Sequence, residues 1–106
     1  MSDAVLILTT VPDDERAERL ARTLVEEGLA ACVNLLPPMT SIYRWKGGVE
    51  RDAERQLIIK STRPRVEAVR TRIAALHSYE LPEFLVISVD GGSDAYLKWL
   101  GDETLG

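Results

Sequence analysis

The residues that could do chemistry are concentrated in one short segment, residues 76–83. It holds the only histidine of the chain, His77, followed closely by Tyr79, Glu80 and Glu83. Neutral imidazole and carboxylate oxygens are ligands for divalent metals such as Cu(II). One histidine can begin such a site but cannot complete it, so further ligands would have to come from distant residues, from water or from another copy of the chain. The alternative for His77 is a histidine favoured at a helix C-terminus by the helix dipole.

Three other side chains are candidates for binding. Cys32, the only cysteine, begins an apolar run; it could be a soft metal ligand, although most such cysteines are small buried hydrophobic residues. Lys60 follows the apolar residues 57–59, which is typical of a strand end whose ammonium group reaches solvent, but it could instead hold an anionic ligand. Glu80 and Glu83 could coordinate a hard cation, or they could be exposed carboxylates in a turn.

The sequence predicts no catalytic constellation. Ser78 is next to His77 along the chain, but adjacency in sequence is not the geometry of a nucleophile and its base. The glycine pairs at 47–48 and 91–92 lack the spacing and the lysine of a phosphate-binding loop. We therefore expect a protein that is not an enzyme.

Length and charge limit the remaining classes. The 106 residues, 45% of them hydrophobic, predict a single domain over residues 1–106 that buries a core. A net charge of -4 argues against nucleic acid or an anionic membrane as the partner. The N-terminal apolar run is short and lacks a basic region, and a single cysteine excludes an intramolecular disulfide. A reducing cytoplasm is the expected location.

Hydrophobic patterns and turn residues predict which elements position these candidates. They predict strands over residues 5–10, 29–36 (followed by the interruption at Pro37 and Pro38), 40–45, about 50–62 and 84–89, and helices that begin near Asp14, Pro64 and Ser93. Gly47 and Gly48 predict the tight turn of the central hairpin. The order β-α-β-β-α-β followed by a short helix predicts an α+β, ferredoxin-like sandwich with both main helices on one face of an antiparallel sheet.

The central hairpin is too long for a compact domain of this size. Its second arm, about 13 residues long, would span roughly 40 Å, whereas the radius of gyration expected for this length is about 13 Å. The hairpin must therefore bend near Pro37 and Pro38 or project, and a projecting hairpin exposes strand edges that soluble proteins cover or pair. Its tip carries Tyr43 and Trp45, so we expect an oligomer built partly by strand pairing between subunits.

Five motifs in sequence order resemble the CutA divalent-cation tolerance family. They lie at residues 30–34 (AACVN), 37–47 (with TSIYRWKG), 57–61 (LIIKS), 77–83 (HSYELPE) and 94–100 (DAYLKWL). Each motif alone is weak, but the resemblance extends over nearly the whole chain.

The resemblance implies a cytoplasmic homotrimer of ferredoxin-like protomers, with an architecture similar to that of the PII signalling proteins. It also implies a role in tolerance of divalent metals, copper above all, with His77 and Cys32 as the metal candidates. The family places Lys60, Tyr79, Glu80 and Glu83 around a shared cleft between subunits. The alternative function is therefore a PII-like module that binds a small anionic ligand there.

Three positions differ from the family pattern. A copper site described in the family uses a cysteine on the first strand and two adjacent histidines after the second helix. Here these positions are Thr9, Leu76 and His77, and Ser78 replaces the usual proline after the histidine. Only His77 matches.

Overall fold

The computed structural model describes residues 3–104, and within this range the elements follow the predicted order. The strands are β1 (Ala4–Pro12), β2 (Cys32–Leu35), β3 (Met39–Trp45), β4 (Gly48–Thr62) and β5 (Leu85–Ser88). The α-helices are α1 (Glu15–Glu26), α2 (Val66–Leu76) and α3 (Asp94–Asp102), and a short 3-10 turn, Arg63–Arg65, precedes α2. The predicted β-α-β-β-α-β order with a terminal helix is therefore what the structure has.

The five strands form one antiparallel sheet in the order β2-β4-β1-β5. β4 is its longest strand, with 15 residues. Its C-terminal part lies between β1 and β2, and its N-terminal part pairs with β3. β5 pairs with β1 and forms one edge of the sheet. Because β3 and β2 lie end to end along β4, a single strand connects the core to the hairpin.

The core lies on one face of the sheet, beneath α1 and α2. Alternate residues of a strand point to opposite faces, and on β1 and β4 the buried set alternates accordingly. The core cluster contains residues from both strands and both helices: Val5, Ile7, Val11, Leu57, Ile59, Ala17, Leu20, Leu24, Val69 and Ile73. The opposite face carries Leu6, Leu8, Thr10, Gln56, Ile58 and Lys60, all half-buried, and we call it the open face.

Local signals in the sequence explain the helix boundaries. The Asp14 side chain accepts a hydrogen bond from the backbone N–H of Arg16, and Ser93 does the same for Tyr96, so each caps a helix N-terminus. Gly28 lies just after the C-terminus of α1 and has a φ of 73°, a conformation that glycine adopts without strain. Pro64 lies in the 3-10 turn rather than at the first position of α2.

The hairpin differs in detail from the prediction. Pro37 and Pro38 do separate two strands. Of the strand predicted over residues 29–36, only the four residues of β2 are in strand conformation. The tight turn is formed by Lys46 and Gly47, with φ values of 49° and 84°, whereas Gly48 is already paired with Trp45 in the strands. Positive φ at both central residues is the type I′ geometry that matches strand twist.

The hairpin projects from the body, as its length predicted. A straight strand of 15 residues spans about 46 Å, and the longest dimension of the described chain is 45 Å against 25 and 24 Å in the other directions. β4 therefore runs nearly the full length of the molecule, and the half that pairs with β3 lies beyond the helices.

Candidate functional site

A cavity of about 890 Å³ lies at the base of the projecting hairpin, on the side of the open face. One wall is the hairpin, with Tyr43, Trp45 and Glu54; the other is the loop of residues 79–83 that follows α2. We call this cavity the hairpin cleft. It contains three of the predicted site residues, Tyr79, Glu80 and Glu83, since all three belong to that loop.

His77 fixes the start of this loop against β1. Its Nε2 lies 2.6 Å from the backbone oxygen of Thr10 and therefore donates to it. Its Nδ1 accepts the backbone N–H of Tyr79 at 3.1 Å, and the rings of His77 and Tyr79 are 4.5 Å apart. This arrangement requires the neutral imidazole with its proton on Nε2. Both ring nitrogens are thus occupied by contacts inside the chain.

Tyr79 reaches across the cleft to the hairpin. Its hydroxyl donates to Glu54 Oε1 at 3.0 Å, and Glu54 is only 8% exposed. Burial first, and then the hydrogen bond and charge of Glu54, raise the pKa of the Tyr79 phenol above its ordinary value of 10. The phenol is therefore a neutral donor to the carboxylate at physiological pH.

Two further contacts join the loop to the hairpin. Gln56 Nε2 donates to Glu83 Oε2 at 2.9 Å and to the backbone oxygen of Thr9 at the same distance. Lys46 Nζ, at the hairpin turn, lies 3.7 Å from Glu80 Oε2. Both Lys46 and Glu80 are well exposed, so this ion pair contributes little to stability. The buried contacts of Tyr79 and Gln56 are the ones that set the loop's position.

The hairpin wall itself is acidic. The Tyr43 hydroxyl donates to Asp52 across the β3–β4 pair, and that hydrogen bond raises the pKa of Tyr43 to about 12. The strand pairing places Tyr43 opposite Glu50, so aromatic rings and carboxylates occupy the same face of the hairpin.

Lys60 and Cys32 lie at the other end of the open face, outside the cleft. They are paired across β4 and β2, so their side chains share one face. Lys60 Nζ donates to the Tyr96 hydroxyl at 3.3 Å and lies 5.6 Å from that ring's centroid. Four residues of strand separate Lys60 from Gln56, about 13 Å. Within one protomer the predicted grouping of Lys60 with Tyr79, Glu80 and Glu83 is therefore divided between two places.

The residues present do not fit a copper site within one protomer. Thr9 is fully buried on the core face, and its hydroxyl has no hydrogen-bond partner among residues 3–104. Leu76 has no donor atom, and both nitrogens of His77 are engaged. No group of three or more His, Cys, Asp or Glu side chains in the described part of the chain is placed to hold a metal ion. The predicted pair His77 and Cys32 is not brought together.

Glu54 and Gln56, which make the principal contacts with the loop, were not predicted from the sequence. One signal was available: Glu50, Asp52 and Glu54 alternate along a predicted strand and must share a face. What the sequence did not indicate was the partner of that face. The 79–83 loop reaches it only because α2 ends beside β1.

Comparison with known proteins identifies the family. The family model described as CutA1 divalent ion tolerance protein matches residues 5–103. The chain belongs to the CutA1 family. The divalent-cation tolerance protein CutA of Pectobacterium atrosepticum is 48% identical over 94% of this chain and 91% of its own length. The resemblance predicted from the five motifs is therefore confirmed.

Solved CutA structures share the fold. The crystal structure of CutA from Xylella fastidiosa superimposes with a TM-score of 0.94 at 47% identity, covering 97% of this chain and 99% of that one. The PII-like protein CutA from Nostoc sp. PCC 7120 gives 0.89 at 46% identity, covering 95% and 97%. The ferredoxin-like α+β prediction is confirmed.

The names of CutA1 family members refer to different cellular compartments. The Arabidopsis thaliana protein, 41% identical to this chain, is named as chloroplastic, and the Archaeoglobus fulgidus protein, 34% identical, as periplasmic. In this chain, no helix among residues 3–104 is long and apolar enough to cross a bilayer.

We expect Tyr79→Phe to lower the free energy of unfolding by about 1–3 kcal/mol, because the buried Glu54 carboxylate loses its donor. Urea unfolding at a fixed protomer concentration measures this loss. Tyr96→Phe is a matched control, since its hydroxyl accepts from the half-buried Lys60 and not from a buried carboxylate; an equal loss in both variants would contradict the role assigned to Tyr79.

The stabilisation from Tyr79 should also depend on pH. The folded state raises the pKa of this phenol, so the folded protein holds the proton where the unfolded chain releases it. The contribution is then fully present below about pH 10 and is lost as pH rises through the folded pKa. The difference in stability between wild type and Tyr79→Phe should be constant below that pH and shrink above it.

Proposed function

We propose that this CutA1-family chain acts in divalent-cation tolerance as a homotrimeric, PII-like binding protein whose ligand occupies the hairpin cleft. The observation that carries the proposal is the cleft itself, a cavity of about 890 Å³ at the base of the hairpin. Its volume is in the range of small-molecule sites, and its walls combine an apolar lining with a few polar groups, as such sites do.

The contacts of His77 favour a binding module over a copper carrier. A carrier needs convergent donors with free lone pairs, whereas His77 uses both nitrogens to position the cleft loop. In this proposal His77 shapes the ligand site and is not itself a ligand. The protein then contributes to metal tolerance indirectly, through the presence or absence of a ligand in the cleft.

The open face and the β5 edge support the trimer. β5 is a four-residue apolar strand whose outer edge has no partner strand within residues 3–104, and Leu85 and Ile87 are 54% and 46% exposed. Tyr96 and Trp99 of α3 are also exposed, and their tilted rings have centroids 5.3 Å apart. Exposed apolar edges of this kind are normally covered by another chain. Strand pairing between copies, with Tyr43 and Trp45 near the interface, remains the assembly we propose.

The cytoplasm is the compartment we propose for this assembly. The supporting observation is that Cys32 is the only cysteine and is present as a free, half-buried thiol. Free thiols persist in reducing compartments.

The trimer is tested by mass. Light scattering should give three times the 11.8 kDa protomer mass, about 35 kDa. Ile87→Lys places a charge on the open face and should lower that mass, because the buried ammonium would lack a partner. Val25→Lys is the control: Val25 is 41% exposed but lies on α1, on the opposite side of the sheet. A mass of one protomer for wild type would contradict the proposed trimer.

A titration with copper distinguishes two roles of His77, binding a metal ion and positioning the loop. In a calorimetric titration with Cu(II) in a weakly coordinating buffer, wild type and His77→Ala should give the same isotherm. His77→Ala should instead lower the melting temperature, since it removes two hydrogen bonds from the loop. A site filled once or three times per trimer in wild type and lost in the variant would show that the metal role runs through His77.

The cleft is tested by a thermal-shift screen of nucleotides, amines, organic acids and amino acids. At least one class should raise the melting temperature of wild type, because a ligand that binds only the folded state stabilises it by mass action. Ser41→Trp fills the cleft from β3 and should abolish that shift. A shift of the same size in the variant would place the ligand elsewhere.

A further inference from the structure

The hairpin cleft is negatively charged. Its lining includes Glu54, Glu80 and Glu83, against one cationic side chain, Arg44, among the described residues. Only Glu80 of the three has a cationic partner in residues 3–104, the exposed Lys46. A site that recognises anions gathers arginine, lysine or backbone N–H groups, so the charge of this cleft favours the opposite kind of ligand.

Glu54 is the group that most needs a partner. It is more than nine-tenths buried, and its side chain accepts a hydrogen bond at Oε1 from the neutral Tyr79 hydroxyl. An ionised carboxylate has about four acceptor positions. Because Glu54 lines the cleft, a ligand there could reach its remaining acceptor positions. A buried carboxylate is expensive without a compensating cation.

Three aromatic rings lie around the same space. Tyr43, Trp45 and Tyr79 all line the cleft, and the faces of such rings attract cations. The chain itself shows this interaction at the rim, where Lys46 Nζ lies 5.6 Å from the Trp45 ring centroid and 3.7 Å from Glu80. An ammonium group near both an aromatic ring and a carboxylate of the lining therefore already occurs beside this cleft.

The rest of the lining distinguishes an organic cation from a bare metal ion. Met39, Leu81 and Pro82 add apolar surface, which a hydrated metal ion would not use. No three acidic, histidine or cysteine side chains converge within the described residues, so the carboxylates act singly. The pKa of Tyr43 is raised first by its hydrogen bond to Asp52, and that of Tyr79 first by burial and then by Glu54; both tyrosines are therefore neutral beside these carboxylates.

We propose that the hairpin cleft binds a small organic cation, an amine with an apolar body, and that Glu54 is the charge partner of its ammonium group. The inference rests on the proposed function, in which the cleft is the ligand site, and it replaces the anionic ligand expected from Lys60. Lys60 lies at the other end of the open face against Tyr96, where it cannot contribute to this cleft within one protomer.

The test uses three probes with one body and different charge: phenethylammonium, phenylethyl alcohol and phenylpropionate. Each is titrated into the full-length protein, and binding is read from the indole N–H resonance of Trp45, assigned with Trp45→Phe. We expect phenethylammonium to bind at least tenfold more tightly than the alcohol, and phenylpropionate to bind more weakly still. The affinity for the ammonium probe should fall as salt is added.

The matched variants are Glu54→Gln and Glu67→Gln. Glutamine at position 54 can still accept from Tyr79 but carries no charge, so affinity for phenethylammonium should fall about tenfold or more. Glu67 is paired with Arg70 on the exposed surface of α2, and its variant should bind as wild type does. If Glu54→Gln fails to fold, the salt dependence of the affinity in wild type still tests whether the cleft binds the charge of the ammonium group.

The outcomes separate the two proposals. Equal or tighter binding of the alcohol or of phenylpropionate at Trp45 overturns the cationic ligand but keeps the cleft as a ligand site. No binding of any probe at Trp45 overturns the cationic ligand, and the thermal-shift screen with Ser41→Trp then decides separately whether the cleft is a site at all.

Discussion

β4 pairs with three other strands along its 15 residues, and the positions of both the core and the cleft depend on that pairing. From Glu54 to Thr62 it is hydrogen-bonded to β1, and in its first seven residues to β3. One alternation of side chains therefore runs without interruption from the core into the hairpin. The same strand that buries Leu57 and Ile59 beneath the helices also presents Glu54 and Gln56 to the 79–83 loop.

Local patterns predicted most of this fold because the signals they rely on are short-range. The apolar run of β1, the cap at Asp14 and the cap at Ser93 are each decided within a few residues. The hairpin turn was misplaced by one residue, since Gly47 and Gly48 look alike in sequence and only the pairing shows which of them leaves the turn. The length of the hairpin predicted an oligomer, and the family resemblance added the prediction that the oligomer is a trimer.

The site was harder to predict because it depends on contacts between distant residues. The motif at 77–83 predicted a group of candidate site residues, and in the structure residues 79–83 line the cleft. Its partners Glu54 and Gln56 are 25 and 27 residues away from Tyr79 and Glu83, and the alternation along the strand indicates their common face but not what that face contacts. For His77 the sequence left two interpretations open, a metal ligand and a histidine at a helix C-terminus; in the structure its two hydrogen bonds position the loop.

The alternation of side chains along β4 also makes the charge of the cleft sensitive to the insertion of a single residue in that strand. Glu50, Asp52 and Glu54 share one face of the hairpin arm, while Arg51 and Arg55 occupy the other. One residue inserted just before the buried half of β4 would leave the core in place and rotate the arm by half a repeat. The arginines would then face the loop, and a relative with such an insertion would have a cleft suited to anions. Within one fold, a single insertion or deletion could thus reverse the sign of the preferred ligand.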